Sequence, residues 1–402
     1  MKKKRFQTLD DYDVFRKVVL VRADLNVPMQ NGVITDMTRI ERFAPTLYEL
    51  SSKGAKVVIL SHFGRPKNGR DESQSLGPVG NALEGVLGQP VGFVVDCIGP
   101  TVLHAISDMT PGQILLLENT RFYPEEEQND PTFAAQLAAL GQLYVNDAFS
   151  AAHRAHASTE GLAHHLPTMA GRLMQAELEA LEKTLGEAQH PVMAICGGSK
   201  ISTKLALLNN LVSRVDILVL GGGMANTFLA ANGVNIGRSL CEHDMLGQAR
   251  EIQKRAKEVG CQIYLPGDAV VAEKLEAGQK VQTVPINAIP ADQMVLDIGP
   301  GSIKAIMKAL DDCPTLLWNG PLGAFEVSPF DTATTSIAKN VAERTKTKKL
   351  LSVAGGGDTV AALAKAGVAK NALTYVSTAG GAFLEWLEGK ELPGVAALFL
   401  NR

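Results

Sequence analysis

Short apolar runs recur along the whole chain, and longer stretches of helical period separate them. Val18–Val21 leads to a segment from Thr38 to Ser52 in which Ile40, Phe43, Ala44, Leu47 and Leu50 fall on one helical face. Val57–Leu60, Val91–Val95, Ile114–Leu117 and Leu143–Val145 follow. The second half repeats the alternation with Val192–Ile195, Ile217–Leu220, Ile263–Leu265, Met294–Leu296, Leu316–Trp318, Leu350–Val353 and Leu373–Val376. Runs this short, continuous and bounded by Gly, Asp and Pro suit strands buried on both faces of a parallel sheet. Their alternation with helices predicts a doubly wound α/β architecture.

The polar residues that close these runs differ between the halves. In the first half they are rich in Arg and His: Arg22-Ala23-Asp24-Leu25-Asn26, Ser61-His62-Phe63-Gly64-Arg65, Glu118-Asn119-Thr120-Arg121, and Asn146-Asp147 with His153-Arg154-Ala155-His156. In the second half they are rich in Gly: Gly197-Gly198-Ser199-Lys200, Gly221-Gly222-Gly223, Trp318-Asn319-Gly320-Pro321, Gly355-Gly356-Gly357-Asp358-Thr359 and Ser377-Thr378-Ala379-Gly380-Gly381. Open α/β sheets bind ligands beyond the carboxyl ends of their strands, where every one of these clusters falls. Cationic forks suit a small, highly charged anion, whereas glycine loops offer backbone N–H groups to a polyphosphate. Two kinds of anion site on one chain imply two phosphorylated ligands and transfer between them.

A chain of 402 residues is long for one core, so two domains are expected. The boundary is expected near Leu166-Pro167-Thr168-Met169, giving domains 1–170 and 171–387, joined by an amphipathic helix from Leu173 to Leu185. The acidic Glu125-Glu126-Glu127 run, flanked by Pro124 and Pro131, reads as a solvated loop. Net charge of -3 excludes a global attraction for nucleic acid or membrane, so attraction for anions is local. No apolar stretch is long enough to span a bilayer. The basic start MKKKRFQ runs into Asp10-Asp11 without an apolar core, so Lys2-Lys3-Lys4-Arg5 reads as a solvated tail and not a secretory signal. Five scattered cysteines (Cys97, Cys196, Cys241, Cys261, Cys313) form no C-x-x-C, the usage of a reduced cytoplasmic protein.

Several residues carry the candidate chemistry. Arg22, Arg39, Arg65, Arg121 and Arg154, with His62 and His153 or His156, converge from separate strand ends. Asp24 and Asn26 could hold a hydroxyl between the charged ends of a ligand. His153 and His156 lack the accompanying ligands of a zinc site. Lys200 and Lys204, four apart, are expected on one helical face near its start. Asp358 is either the N-cap of a helix from Val360 to Lys365 or a hard oxygen ligand for magnesium on a nucleotide. Neither a Walker site nor a G-x-G-x-x-G fingerprint is present.

Together, VRADLNVP, SHFGRP, LLENTRF, NDAFSAAHRAHAST, GGSK, GGGMANTF, WNGPLGAFE, GGGDT and STAGGA, in this order, resemble the phosphoglycerate kinase family over nearly the whole chain. The resemblance implies two Rossmann-like domains facing across a cleft, with the segment 388–402 returning to the first. It implies reversible transfer between 1,3-bisphosphoglycerate plus ADP and 3-phosphoglycerate plus ATP, with Mg2+, by a cytoplasmic monomer that closes about a hinge. Asp24, Leu25, Asn26, Arg39, His62, Phe63, Gly64, Arg65, Arg121 and Arg154 would then frame the glycerate. Lys204, Glu326, Gly356, Gly357, Asp358 and Thr359 would take the nucleotide, Asp358 through the metal, and Arg39 and Lys200 would flank the phosphoryl group in flight. A ligase that activates a carboxylate as an acyl phosphate, or a silent nucleotide-binding scaffold, are the competing readings. Ser150, Ser199, Phe63, Ala333 and Ala379 depart from the family pattern, and Ala379 puts a Cβ into a loop expected near phosphate.

Overall fold

The computed structural model describes residues 6–67 and 69–400; Lys2–Arg5, read above as a tail, lie outside the described residues. The chain divides into two units. Unit 1 runs to Leu178 and takes in the stretch from Glu391 onward, and unit 2 is Glu179–Lys390.

The strands of unit 1 are β1 (Val18–Ala23), a small hairpin of β2 (Met29–Gln30) and β3 (Val33–Ile34), then β4 (Lys56–Ser61), β5 (Val91–Val94), β6 (Ile114–Leu117), β7 (Leu143–Asn146) and β8 (Thr168–Ala170). Unit 2 contributes β9 (Val192–Cys196), β10 (Ile217–Leu220), β11 (Gln262–Tyr264), β12 (Asp268–Ala272), β13 (Gln282–Pro285), β14 (Met294–Ile298), β15 (Thr315–Asn319), β16 (Leu351–Gly355) and β17 (Tyr375–Ser377). Each unit holds a six-stranded sheet, ordered β5-β6-β4-β1-β7-β8 and β11-β10-β9-β15-β16-β17. Every pairing within both sheets is parallel.

The helices are α1 (Thr38–Ser52), α2 (Gly77–Leu87), α3 (Pro100–Ser107), α4 (Pro131–Ala138), α5 (Arg172–Leu181), α6 (Leu205–Val212), α7 (Gly222–Ala231), α8 (Leu246–Val259), α9 (Pro300–Leu310), α10 (Thr332–Lys346), α11 (Gly357–Lys365), α12 (Gly381–Leu387) and α13 (Pro393–Ala396). None of the described helices is long and apolar enough to cross a membrane. The continuous apolar runs are explained by burial on both faces. In β1, Val19 and Val21 join one core with Ile59 of β4 and with Phe43 and Leu47 of α1. Leu20 points the other way, into a core with Leu60, Val102 of α3 and Leu137 of α4. A strand with helices on both sides has no polar face to show, so the period-2 signature is absent.

Two expectations need correction, and one element was not foreseen. Thr168 and Met169 do not mark a boundary; they form β8, a short edge strand of the first sheet, and the units divide inside α5. Met294–Leu296 belongs to β14, which pairs antiparallel with β12 in a separate three-stranded sheet with β13, outside the parallel one. The β2–β3 hairpin was not foreseen, although its turn, Asn31-Gly32, has positive φ at both positions (50° and 76°), the geometry for which Asn-Gly is favoured.

Candidate functional site

In unit 1 the chain leaves β1 for β4 on one side, and β7 flanks β1 on the other, so a crevice opens beyond the ends of these strands. The basic clusters meet there in one hydrogen-bonded network. Arg39 Nη1, on α1, donates to Asp24 Oδ2 at 2.6 Å and to the Asn26 carbonyl at 3.0 Å. Asp24 also accepts from the Ser150 hydroxyl and, at 3.1 Å, from the Asn26 N–H. The Asn26 side-chain oxygen accepts the Gly64 N–H at 2.9 Å, and Arg121 Nη1 donates to the Gly64 carbonyl at 2.7 Å. Leu25 and Phe63 turn their side chains into the core and border the crevice with backbone alone. Leu25 N–H is held by Ser61 Oγ at 3.0 Å, and both backbone groups of Phe63 are bound by Asn119. Arg65 and Arg154 are exposed, and neither side chain makes a hydrogen bond or ion pair among the described residues.

Charge in this crevice is concentrated. Burial works against ionisation of Asp24, yet the neighbouring positive charge and donors win, and its carboxyl lies below its ordinary value. Burial, then the Arg22 charge, pushes His62 well below the usual histidine range. Burial, then Arg22, Arg121 and Arg154, pushes His156 down to about 4. Both rings are therefore neutral near pH 7, so the positive charge of the crevice is carried by arginines.

Of the acidic run, Glu125 and Glu127 are exposed as expected of a solvated loop, but Glu126 is not. Glu126 is fully buried, accepting from Ser158 N–H at 2.9 Å and from Ser158 Oγ at 2.5 Å, and lies 4.0 Å from Arg22 Nη2. Glu127 comes within 2.9 Å of Arg121 Nε. A buried guanidinium requires a nearby counter-charge, and this segment supplies it. Ser150, Glu126 and Asn119 are the residues of this site that sequence reasoning missed. Their partners lie far along the chain, so spacing carries no trace of them.

In unit 2, numbering the six strands in chain order gives 3-2-1-4-5-6, so the order reverses between β9 and β15. The glycine loops close over that point, backbone against backbone. A Cβ on Gly197 would stand 1.6 Å from the Pro321 carbonyl oxygen, one on Gly320 2.2 Å from that of Gly197, and one on Gly222 2.7 Å from that of Gly198. Lys204 Nζ bridges the two strand ends, donating to Gly197 O at 2.7 Å, Asn319 Oδ1 at 2.6 Å and Asn319 O at 3.2 Å. Asn319 Nδ2 donates to Gly355 O at 2.8 Å; Thr359 Oγ1 donates to Gly355 O at 2.8 Å and accepts the Gly320 N–H at 2.7 Å. Asn319 thus ties Lys204 to the Gly355 loop, a role its motif did not disclose.

Lys200 and Lys204 do not share a helical face. Lys204 ends a 3-10 turn (Ser202–Lys204), α6 begins only at Leu205, and Lys200 stands exposed before the turn. Asp358 is not an N-cap. Gly356, with φ of 96°, holds the cap position, α11 starts at Gly357 rather than Val360, and Asp358 is its second residue. The first bond of α11 runs from Val360 N–H to Gly356 O, so the preceding N–H groups face outward from the helix start. Asp358 and Glu326 are exposed, without a side-chain hydrogen bond or ion pair among the described residues. Ala379 carries no strain: the left-handed residue of that loop is Gly380, with φ of 58°. All five thiols are free; Cys241 alone of them is partly exposed, and burial pushes the Cys196 thiol up.

The phosphoglycerate kinase family model matches residues 9–390. A phosphoglycerate kinase from Chelativorans sp. (strain BNC1) is 61% identical over 394 residues, covering 98% of this chain and 99% of that protein. One from Sinorhizobium medicae (strain WSM419) is 62% identical, covering 99% of this chain and 100% of the relative. The solved phosphoglycerate kinase from Coxiella burnetii superposes with a TM-score of 0.92 at 41% identity, over 98% of this chain and 99% of that one. The order of strand-end clusters, the two parallel sheets and these relatives agree: the chain belongs to the phosphoglycerate kinase family, phosphotransferases whose acceptor is a carboxyl group.

Proposed function

We propose that this protein transfers a phosphoryl group reversibly from the acyl phosphate of 1,3-bisphosphoglycerate to ADP, giving 3-phosphoglycerate and ATP, as a cytoplasmic, Mg2+-dependent monomer whose units close on each other. Unit 1 takes the glycerate on Arg39, Arg65, Arg121, Arg154, His62, Asp24 and Asn26, with the backbone of Leu25, Phe63 and Gly64 bordering it. Unit 2 takes the nucleotide on Gly356, Gly357 and Thr359, with Glu326 at the ribose and Lys204 bracing the loops. The single observation that carries this reading is chemical contrast. One strand-end crevice is charged by arginine side chains, and the other is built from close-packed glycine backbone opening onto a helix start.

The exposed Asp358 carboxylate, on the first turn of α11, is the hard oxygen donor that suits magnesium on nucleotide phosphates. When bound, the ion would neutralise phosphate charge. Arg39 and Lys200, one from each unit, stabilise the equatorial oxygens of the moving group, so no side chain need act as nucleophile. Exclusion of water on closure protects the acyl phosphate.

A coupled assay of ADP phosphorylation by 1,3-bisphosphoglycerate tests the reading, and a folded protein without turnover in the presence of magnesium ends it. Within it, Lys200→Ala should lower kcat by about 100-fold or more, corresponding to about 3 kcal/mol, while both ligands still bind. Loss of nucleotide affinity with near-normal turnover would reassign that lysine.

A further inference from the structure

Arg22 lies in β1, and its side chain is inaccessible to water. A guanidinium has only donors, so every polar atom it bonds must accept. Nε donates to Ser158 Oγ at 2.6 Å and Nη1 to the Ala23 carbonyl. Nη2 lies 3.1 Å from His62 Nδ1, with the buried Glu126 carboxylate 4.0 Å away as counter-charge. The contact decides the state of the ring. Nδ1 must present its lone pair, which leaves the one proton of a neutral imidazole on Nε2. An imidazolium would set N–H against N–H.

We infer that Arg22 is a positioning residue that locks His62 as the neutral Nε2–H tautomer, so that His62 gives the anionic ligand of unit 1 one directed hydrogen bond and no charge. The ligand half of this inference rests on the function proposed above; the tautomer does not. The charged groups facing His62 are Arg22 from β1, Asp24 from the loop after it, Arg39 from α1 and Arg121 from the turn after β6. Three of the four are permanent cations. Burial and these cations oppose a further positive charge, and Asp24 alone favours it. Asp24 is already engaged by Arg39 and Ser150. The site thus divides two tasks that its composition merges. Arginines supply charge, and His62 supplies direction through an N–H whose availability does not change across neutral pH.

Nitrogen NMR of the whole chain labelled at histidine tests the lock, with the His62 signals identified by their absence in His62→Gln. The expected spectrum shows an unprotonated, pyridine-type Nδ1 and a pyrrole-type Nε2, unchanged from about pH 8 to about pH 6. A ring that is cationic at pH 7, or protonated on Nδ1, overturns the inference. Arg22→Met removes donor and charge together. The other tautomer should then appear, and the ring should titrate nearer the ordinary histidine value of about 6.5. The KM for 3-phosphoglycerate should rise by about tenfold, more than kcat falls, and become pH-dependent between about pH 6 and 8. Arg22→Lys keeps a donor and should restore the parent tautomer. Should Arg22→Met fail to fold, the parent spectrum still decides. A His62→Gln chain that binds 3-phosphoglycerate as tightly as the parent overturns the ligand half, whereas a parent that does not bind it faults the function of unit 1 and leaves the tautomer result standing.

Discussion

Gly197 and Gly357 look alike in the sequence, each within a glycine run after a strand, but they are glycines for different reasons. A Cβ on Gly197 would collide with the Pro321 backbone, whereas one on Gly357 meets nothing within 4 Å and no positive φ forbids it. Gly197→Ala should therefore lower the unfolding free energy by about 3 kcal/mol or more, because backbone cannot give way as a flexible side chain can. Gly357→Ala should hold or raise stability by about 0.5 kcal/mol. In the nucleotide reading, the same methyl would stand where phosphate approaches, so ADP affinity should fall. Urea unfolding and calorimetric titration of both variants separate the cases; unweakened ADP binding in Gly357→Ala would remove that position from the site. This marks how far the site was legible. Residue types at strand ends disclosed the contrast between an arginine-lined crevice in one half and glycine-built loops in the other. They did not disclose that Arg22 and Lys204 are spent on protein atoms while Arg65 and Arg154 are left exposed, because type does not encode direction.

Among the elements, most strands and the whole of α1 could be read from the pattern, because burial on both faces makes each strand a continuous apolar run. What escaped was short or differently paired: the β2–β3 hairpin, the three-residue edge strand β8, and β12 and β13 of the antiparallel sheet, β13 being mostly exposed and without an apolar run. The junction of α1, β7 and α5 was equally silent. Asp147 is buried there, accepting from Thr46 Oγ1 at 2.6 Å and from Met174 N–H at 2.9 Å. The Arg172 N–H donates to the same Thr46 hydroxyl at 2.9 Å, and Arg172 pairs with Asp10 and Glu49. These bonds fasten the first turn of α5 to unit 1. Burial nevertheless pushes the Asp147 carboxyl up, from 3.8 to about 6. The folded chain thus holds this proton more tightly than the unfolded one. The resulting stability is fully present below about pH 3.8 and is lost as pH rises through about 6, a change of about 3 kcal/mol. Asp147→Asn removes the titration. Relative to the parent, its unfolding free energy should improve by up to about 3 kcal/mol between about pH 4 and pH 7, whatever constant offset the lost acceptor imposes. Parallel curves for parent and variant over that range would show that Asp147 does not titrate there.

At the scale of the whole molecule, unit 1 is not a continuous stretch of chain. Its last part is made by residues after Glu391, where Leu392, Ala397 and Leu398 are buried. Asn146 Nδ2, at the end of β7, donates to the Gly394 carbonyl at 3.2 Å, and the Gly394 N–H donates to the Ala152 carbonyl at 2.9 Å. A Cβ on Gly394 would lie 2.9 Å from Ala152 Cα, so the segment sits directly on the loop that carries Ser150 and Arg154. A chain ended after Lys390 keeps every residue of unit 2 and every candidate ligand of unit 1, yet exposes the surface that Leu392 and Leu398 cover. At about 2 kcal/mol per leucine, unit 1 should lose about 4 kcal/mol and unit 2 almost nothing. Hydrogen exchange read separately over the two units should show protection falling across β1, β4 and β7 and unchanged across β9, β10 and β15. ADP binding should survive, and binding of 3-phosphoglycerate should weaken. Adding the peptide of residues 391–402 should restore protection in unit 1, because what was removed is packing and not chemistry. Uniform loss of protection in both units would mean that the final segment supports the whole chain and not unit 1 alone.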